Sequence, residues 1–246
     1  MKKVILFSLI ILANRSLLSA KTIYVDQDAK GLNNGSSWND AYIYLESAFL
    51  GSSPGDEIWV AEGTYNPTYK FDPGDDRSAA FRLRNNVKVF GGFDPDSGVT
   101  LFKSRDWQTY KCILSGDIGV KYTQSDNCYH VFYHRSGLNL NNTALLDGFY
   151  IQDGYANGSG ANQLFGAGMF NDGSGPGLVN CHFENNHASQ GGAMYNTNAA
   201  DTAMLGCVFL DNDATLYGGA ICNTDSSPII NDCSFGANFE QNTAIH

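Results

Sequence analysis

Four side chains suited to acid–base chemistry or ion binding fall close together in the middle of the chain: Asp117, Asp126, His130 and His134. Carboxylate and imidazole groups perform this chemistry near neutral pH. If residues 128–134 are extended, the two histidines share one face of a strand. The cluster would then form a polar site at one end of the folded domain. The alternative, which we favour, is a pair of solvent-exposed or turn-capping histidines.

Groups of aspartates in turn-like segments offer a second chemistry, since calcium takes carboxylate oxygens as ligands. None has the full ligand spacing of a known calcium loop, so we interpret them as ordinary turn residues. The sequence predicts no metal-binding residue and no cofactor, with Ca²⁺ as the one alternative. The groups are Asp26 with Asp28, Asp72 with Asp75 and Asp76, Asp94 with Asp96, and Asp211 with Asp213.

A polysaccharide lyase would need a basic residue beside a neutralised substrate carboxylate. The 246-residue chain has 15 lysines and arginines, and all of them lie at or before Arg135. Residues 136–246 contain ten acidic residues and no lysine or arginine, which accounts for the net charge of −10. A basic catalyst would therefore lie in the first half, and no catalytic residue is predicted. The candidates are Arg82, Arg84, Lys88, Lys103, Arg105, Lys111, Lys121 and Arg135.

Composition and patterning exclude two classes of function. An acidic chain does not offer the basic surface that displaces counterions from nucleic acid, so no nucleic-acid partner is predicted. No internal run reaches the length of a membrane-spanning helix, so no transmembrane segment is predicted in the mature chain. Residues 1–20 begin with Lys2 and Lys3, continue in an apolar run and end at Ala20, which is typical of a cleaved signal peptide. The mature protein is therefore predicted to be exported.

The second half of the chain is built from a repeat. Cys181, Cys207 and Cys233 are spaced 26 residues apart, and a glycine-rich block follows each of the first two. A period of this length indicates a solenoid, whereas a β-propeller needs about 40 residues per repeat. Short strand-like segments, Gly/Asn turns and the lack of a helical period predict an all-β fold, a single-stranded right-handed parallel β-helix. The glycine blocks are Gly166–Asn171, Gly191–Asn196 and Gly218–Asn223.

Corresponding positions of the repeat are expected to stack into ladders, because neighbouring strands lie about 4.8 Å apart. Apolar ladders should form the core, and Ala156, Ala188 and Ala214 should lie at tight turns. Each ladder asparagine should hydrogen-bond to the next one. The apolar ladders are Leu146, Leu178, Met204 and Ile230; Phe149, Cys181, Cys207 and Cys233; and Ile151, Phe183, Phe209 and Phe235. The asparagine ladders are Asn186, Asn212 and Asn238, and Asn171, Asn196 and Asn223.

The first half is less regular, and we expect one β-helix domain over residues 21–246. Its irregular coils occupy 21–135 and its regular repeats 136–246. Ala41–Leu50 has apolar residues at helical spacing, which predicts one amphipathic helix. Because a solenoid needs its first coil covered, this helix is the expected N-terminal cap. The chain stops soon after Asn238, within a repeat, so the last coil is expected to be truncated here or covered by a partner.

Two cysteines and three aromatic residues each allow two interpretations. Cys112 and Cys128 flank the segment 115–127, and they either form a disulfide or are two buried thiols. A disulfide closing a loop of this size would stabilise the protein by about 3 kcal/mol. Three aromatic residues either stack on sugar rings or belong to the core or cap. They are Trp38, Trp107 and Tyr155.

The blocks Gly191–Asn196 and Cys207–Asn212 resemble the GGA-I and F-x-x-N repeats of polymorphic outer membrane proteins. The front half resembles the leader of large secreted bacterial β-helix proteins with the pectin-lyase-like fold. Together the two likenesses span nearly all of the mature chain. The front-half stretches are Ile23–Asp26, Gly35–Trp38, Gly55–Tyr65, Ile113–Ile118 and Tyr129–Val131.

This resemblance implies a protein that is secreted or displayed on the outer-membrane surface of a bacterium. It also implies an adhesin-like scaffold that binds a glycan or a host or cell surface without catalysis. The alternative is a lyase of the same fold that acts on acidic polysaccharide, with its site in the front half. The sequence favours the scaffold, because an acidic surface repels acidic substrates. The ligand-binding residues and the oligomeric state are left open.

Overall fold

The computed structural model describes residues 20–236 and 243–244. The predicted signal peptide, except Ala20, and the predicted ladder residue Asn238 lie outside the described residues. Within the described part of the chain, no helix is long and apolar enough to cross a membrane.

Short strands dominate the described residues, with a single α-helix, α1 (Leu45–Gly51). Three 3-10 turns also occur, at Asp76–Ser78, Phe102–Ser104 and Gln124–Asp126. The strands are β1 (Thr22–Val25), β2 (Glu57–Ala61), β3 (Gly63–Tyr65), β4 (Lys88–Phe93), β5 (Cys112–Ser115), β6 (Phe132–His134), β7 (Leu145–Asp147), β8 (Phe149–Gln152), β9 (Tyr155–Ala156), β10 (Met169–Asp172), β11 (Gly177–Val179), β12 (His182–Glu184), β13 (His187–Gln190), β14 (Met194–Thr197), β15 (Ala203–Leu205), β16 (Val208–Leu210), β17 (Asp213–Tyr217), β18 (Ile221–Thr224), β19 (Ile229–Asn231), β20 (Ser234–Phe235) and β21 (Thr243–Ala244).

The strands form four stacked parallel sheets. Sheet A has the order β1-β2-β4-β7-β11-β15-β19, and sheet B has the order β3-β5-β8-β12-β16-β20. Sheet C is β9-β13-β17-β21, and sheet D is β6-β10-β14-β18. From Leu145 onward the chain visits sheets A, B, C and D in that order and then repeats the circuit. This arrangement is a β-helix-like all-β fold.

The predicted apolar ladders are confirmed and continue into the front half. In sheet A the ladder of Leu146, Leu178 and Met204 is preceded by Ile58 and Val89 of the earlier coils. In sheet B the rings of Phe183, Phe209 and Phe235 stack with centroids 5.1 and 4.8 Å apart. These side chains meet in one apolar core that runs along the stack. Toward the last described coil the ladder becomes more exposed, with Ile230 at 42% and Phe235 at 46%.

The two asparagine ladders are confirmed over the described residues. Asn171 Nδ2 donates to Asn196 Oδ1 at 2.8 Å, and Asn196 Nδ2 donates to Asn223 Oδ1 at 2.8 Å. In the second ladder, Asn186 Nδ2 donates to Asn212 Oδ1 at 2.9 Å. Because each amide both donates and accepts, the buried polar groups are satisfied from one coil to the next.

The position of the alanine ladder was predicted wrongly. Ala156, Ala188 and Ala214 do not lie at tight turns but pair in register in the strands of sheet C. The first two form a small cluster with Ala167, separate from the main apolar core. All three alanines are almost fully buried, and a closely packed interior favours small side chains at such positions.

The glycine blocks of the repeat have a steric cause. Gly191 has φ 63°, a left-handed conformation that favours glycine, and Gly218 repeats it at φ 62°. At Gly192 an added Cβ would lie 2.3 Å from the carbonyl oxygen of Gly219 in the next coil. The following Ala193 is fully buried in the core. The Gly-Gly-Ala pattern therefore marks a point where two coils approach too closely for a side chain.

The helix is shorter than the predicted Ala41–Leu50. Tyr42 is extended and exchanges backbone hydrogen bonds with the end of β1, so α1 begins only at Leu45. Leu45, Ala48 and Phe49 are buried, and α1 packs against β1 and β2. Arg84 Nη1 donates to the carbonyl oxygens of Phe49 and Ser52, which satisfies the C-terminal end of the helix.

Candidate functional site

A polar groove of about 990 Å³ follows the outer side of sheet B toward its corner with sheet C. Successive coils contribute Thr64, Ser115, Gln152 and His187 to its wall. The segment between β5 and the buried Cys128 forms the remaining side. A volume of this size is within the usual range for ligand sites in proteins, about 300–1,000 Å³.

Hydrogen bonds from neighbouring coils fix the segment 116–127. Asn66 Nδ2 donates to the carbonyl oxygens of Ser115 and Asp117 at 2.9 and 3.0 Å. Asn127 Nδ2 donates to the carbonyl oxygen of Asp153 at 2.7 Å. Arg77 Nε donates to the carbonyl oxygen of Asn127 at 2.7 Å. The groove wall is therefore held at both ends of this segment.

Tyr122 is the most exposed large hydrophobic residue of the groove, with 85% of its surface accessible. Its φ is 67°, a left-handed conformation that is rare for a bulky side chain. Its backbone N–H donates to Asp117 Oδ2 at 2.9 Å, which holds the turn in place. Lys121 Nζ lies 4.9 Å from the centroid of the ring. Sequence reasoning missed Tyr122, and no composition or repeat signal marks it.

Aspartates dominate the charges of the groove. Its wall carries Asp117, Asp153, Asp211 and Asp213, and the only lysine or arginine among the wall residues described is Lys121. Burial raises the pKa of the Asp153 carboxyl, and the charge of Asp117 adds to this effect. The groove is therefore an electronegative surface.

Two further oxygens strengthen this negative character. Asp117 Oδ1 and Asn127 Oδ1 are buried atoms without a hydrogen-bond donor. Asp126 Oδ1, in the same segment, is also buried without a hydrogen-bond donor. A buried acceptor without a donor is costly, and such groups mark places where water, an ion or a ligand supplies the missing donor.

A histidine lies at the sheet C end of the groove. His187 Nδ1 is 2.8 Å from Asp213 Oδ2, and the ring of Tyr155 stacks on the imidazole with centroids 4.9 Å apart. The three residues follow one another in register across β9, β13 and β17. This histidine was not singled out in the sequence, although its repeat position pairs it with Tyr155.

The predicted cluster of Asp117, Asp126, His130 and His134 is not brought together. Asp117 lines the groove and Asp126 closes the same turn by accepting from Val120 N at 2.8 Å. Both histidines are buried, at 6% and 0% exposure, so the prediction that they are solvent-exposed or turn-capping is wrong.

The two histidines also lie on different faces. His130 stacks on Tyr133 at 5.1 Å and contacts Phe170, which belong to the outer side of sheet D. His134 lies inside, where its Nδ1 is 2.7 Å from Asn171 Oδ1. Burial lowers the pKa of each imidazole to about 4. The chain bends between Cys128 and β6, which the assumption of one extended strand did not allow for.

Four of the eight predicted basic candidates are engaged elsewhere, one of them being Arg84 at the end of α1. Arg105 forms an almost buried ion pair with Asp147. Arg82 lies over the ring of Tyr69, at 5.4 Å, and Lys111 lies over the ring of another tyrosine. Within the described residues, Lys121 is the one predicted base that lines the groove.

The aspartate groups do not form a metal centre. Asp26 and Asp28 come close to Asp94 and Asp96 across the first coils, and burial together with these charges raises the pKa of Asp26. Glu62 joins this acidic patch, and its pKa is also raised by burial and by the charges of Asp94 and Asp96. Among the described residues, no group of three or more histidine, cysteine, aspartate or glutamate side chains is arranged to hold a metal ion.

The predicted stacking aromatics are packed into the protein. Trp38 lies 4.8 Å from the ring of Tyr24, and its Nε1 donates to the carbonyl oxygen of Thr100. Trp107 packs 5.4 Å from the ring of His182. Of the three, Tyr155 alone lies beside the groove, where it supports His187.

Cys112 and Cys128 are both fully buried in the structure and carry free thiols there, and the disulfide between them stays a prediction. Cys112 Sγ lies 3.1 Å from the carbonyl oxygen of Ala61, and Cys128 Sγ lies 3.1 Å from that of His130. Burial raises the pKa of Cys112 to about 12 and raises that of Cys128 as well.

Comparison with known proteins bears on the fold. No family model matches the sequence, and no curated protein matches it. Among solved structures the chain is similar to a rhamnogalacturonan lyase, with a TM-score of 0.51 and 13% sequence identity. The similarity covers 88% of this chain and 52% of that chain, so this chain spans about half the length of the lyase. It shows a pectin-lyase-like, parallel β-helix fold and confirms the coarse fold prediction.

Proposed function

We propose that this protein is a secreted or cell-surface β-helix scaffold that binds a glycan in the groove without catalysis. In this proposal its coils form one right-handed solenoid of the kind found in polymorphic outer membrane proteins, and α1 covers the first coil. The adhesin-like role follows from the same proposal, because a rigid rod can present the groove away from a cell surface. It requires no cofactor.

The observation that carries the proposal is Tyr122 at the groove. This residue is 85% exposed and is held in an unusual backbone conformation beside a wall of polar side chains. Exposed rings offer an apolar face to sugars, while amide, hydroxyl and carboxylate groups take up the sugar hydroxyls. Strained residues persist when the surroundings hold them, and they cluster at functional sites.

The absence of catalysis is proposed from the chemistry of the wall. Lys121 is the only lysine or arginine of the groove among the described residues, and its amine lies over the Tyr122 ring. The one groove histidine, His187, is held against Asp213 at the sheet C end. The two histidines of the predicted cluster are buried away from the groove.

The alternative function is a polysaccharide lyase, which the similarity to the rhamnogalacturonan lyase favours at the level of the fold. In that case Lys121 would remove the proton and a cation would neutralise the substrate carboxylate. A lyase incubated with uronic-acid polysaccharides and Ca²⁺ would release an unsaturated product that absorbs ultraviolet light. Incubation with EDTA in place of Ca²⁺ tests whether the reaction needs the cation. Lyase activity that is lost in the Lys121→Gln variant would overturn the scaffold proposal in favour of the lyase.

The test of the scaffold proposal is binding to a panel of neutral, amino-bearing and uronic-acid oligosaccharides. Tyr122→Asn removes the ring and keeps the left-handed turn, since asparagine tolerates that conformation. Tyr122→Phe keeps the ring, and Tyr44→Ala removes an exposed tyrosine outside the groove. We expect binding to be lost in the first variant and kept in the other two. Equal binding by all four proteins would contradict the proposal.

A further inference from the structure

We infer that the groove selects a positively charged glycan, one with free amino groups, over a neutral or uronic-acid chain. The inference rests on the proposed glycan-binding function and specifies its ligand class. Four aspartates, one lysine and His187, which contacts Asp213, set the charge of the groove wall among the described residues. A cleft lined by one sign of charge concentrates ligands of the opposite sign.

The Tyr122 ring already receives an ammonium group. Lys121 Nζ lies 4.9 Å from the ring centroid, within the range of a cation–π contact. Both side chains are exposed at the groove, so an ammonium group of a ligand can replace that of Lys121 over the ring. The ring then contacts both the apolar face and the charge of an amino sugar.

The partnerless oxygens of the wall point to the same class of ligand. Asn127 is 4% exposed, and both its Oδ1 and Asp117 Oδ1 are buried without a donor. Both groups are acceptors, so the wall is short of donors and positive charge. An ammonium group brings both, whereas a uronic-acid carboxylate brings more acceptors and more negative charge.

The repeat itself supplies a matched variant. Asp153, Asn185 and Asp211 occupy corresponding corners of three successive coils, with φ of 63°, 55° and 49°. Because the middle coil uses asparagine in this conformation, Asp211→Asn removes one groove charge and keeps the backbone. Asp96→Asn removes one charge from an exposed loop outside the groove and is the control.

The experiment is isothermal titration of glucosamine, N-acetylglucosamine and galacturonate oligomers of equal length, in mildly acidic buffer with EDTA. We expect the glucosamine oligomer to bind tightest, and its affinity to fall with added salt. Asp211→Asn should weaken it about fivefold, the effect of one unit charge near contact in water. Lys121→Gln should strengthen it, and Asp96→Asn should leave it unchanged.

The outcomes separate this inference from the proposed function. Equal affinity for the glucosamine and N-acetylglucosamine oligomers, or tighter binding of the galacturonate oligomer, overturns the charge selectivity and leaves glycan binding intact. An Asp211→Asn protein that folds with an unchanged unfolding midpoint and binds as the wild type does also overturns it. Absence of binding to every glycan of the panel overturns both.

Discussion

The Nδ1 atom of His134 lies 2.7 Å from Oδ1 of Asn171, so the imidazole forms the first rung of the inner asparagine ladder. Asn171 uses its amide nitrogen to donate to Asn196, and its oxygen therefore accepts from the imidazole N–H. The backbone N–H of Leu83 donates to His134 Nε2 at 3.2 Å. Both ring nitrogens are thus satisfied only in the neutral tautomer with the proton on Nδ1.

This geometry predicts an acid-sensitive fold. A proton on Nε2 would face the Leu83 N–H, and the pKa of His134 and of His130 is lowered to about 4, from 6.5, chiefly by burial. The unfolded chain binds these protons first, so stability falls as the pH decreases from 6.5 towards 4. Within that window each of the two histidines should lower the free energy of unfolding by about 1.4 kcal/mol for each pH unit of acidification.

His134→Asn continues the ladder with the residue used in later coils. At pH 7 we expect a loss of about 1–3 kcal/mol, because the Leu83 N–H loses its acceptor. The dependence of unfolding free energy on pH between pH 7 and 5 should fall by the share of one fully buried histidine, while the partly buried His182, whose pKa is also lowered by burial, keeps a contribution. His130→Asn is the matched comparison and should reduce this dependence by a similar amount. Urea unfolding at both pH values measures this, and a full wild-type slope in the double variant would refute it.

The asparagine ladder predicts a large effect for a polar core residue. Asn196 is fully buried, donates to Asn223 and accepts from Asn171 and from Thr202 Oγ1. Asn196→Ala should leave partners on both sides unsatisfied and destabilise the protein by about 3 kcal/mol. Thr215→Ala, on the exposed part of β17, should change stability little. Equal denaturation midpoints for the two variants would show that the ladder contributes little.

The repeat was predictable from sequence because stacking demands one residue type at each rung. Phe183, Phe209 and Phe235 recur at the period of the coil, as the two asparagine ladders do. This recurrence determined the predicted register and parallel direction of the strands. The first half lacks such rungs, so the start of α1 and the bend before β6 depend on contacts that no local pattern encodes. Tyr42 illustrates this, since its pairing with β1 replaces the predicted first turn of helix.

The groove was less predictable, because its residues come from five separate segments of the chain. Asp117 was singled out in the sequence and lines the groove, but it was singled out for a cluster with His134 that does not form. Tyr122 was missed because exposure and a left-handed φ have no signature in a single sequence. Predicting a site of this kind requires knowing which coils lie side by side.

The glycine motif predicts a steric effect on stability. A Cβ at Gly192 would lie 2.3 Å from the oxygen of Gly219 and 2.4 Å from that of Asp213, both backbone atoms that cannot move aside. Gly192→Ala should destabilise the protein by about 1–3 kcal/mol. Gly74→Ala is the control, since its nearest neighbour is a flexible carboxylate at 3.4 Å. Thermal unfolding compares the two, and equal melting temperatures would mean that the coils can separate there without cost.

The last prediction concerns the cysteines and decides between two alternatives for Cys112 and Cys128. Both are fully buried, and burial raises the pKa of each thiol, so the reactive thiolate is scarce. The native protein should therefore react with iodoacetamide at the part-exposed Cys222 and Cys233 before any other cysteine. Unfolding in denaturant without a reductant should then expose Cys112 and Cys128 to the reagent, which peptide mass spectrometry reports. If the pair is a disulfide instead, neither residue is labelled until reductant is added, and the intact mass is lower by two hydrogen atoms. A second readout is a double-mutant cycle, since two separate thiols give additive effects for Cys112→Ala and Cys128→Ala, whereas a shared bond gives the full loss in either single variant.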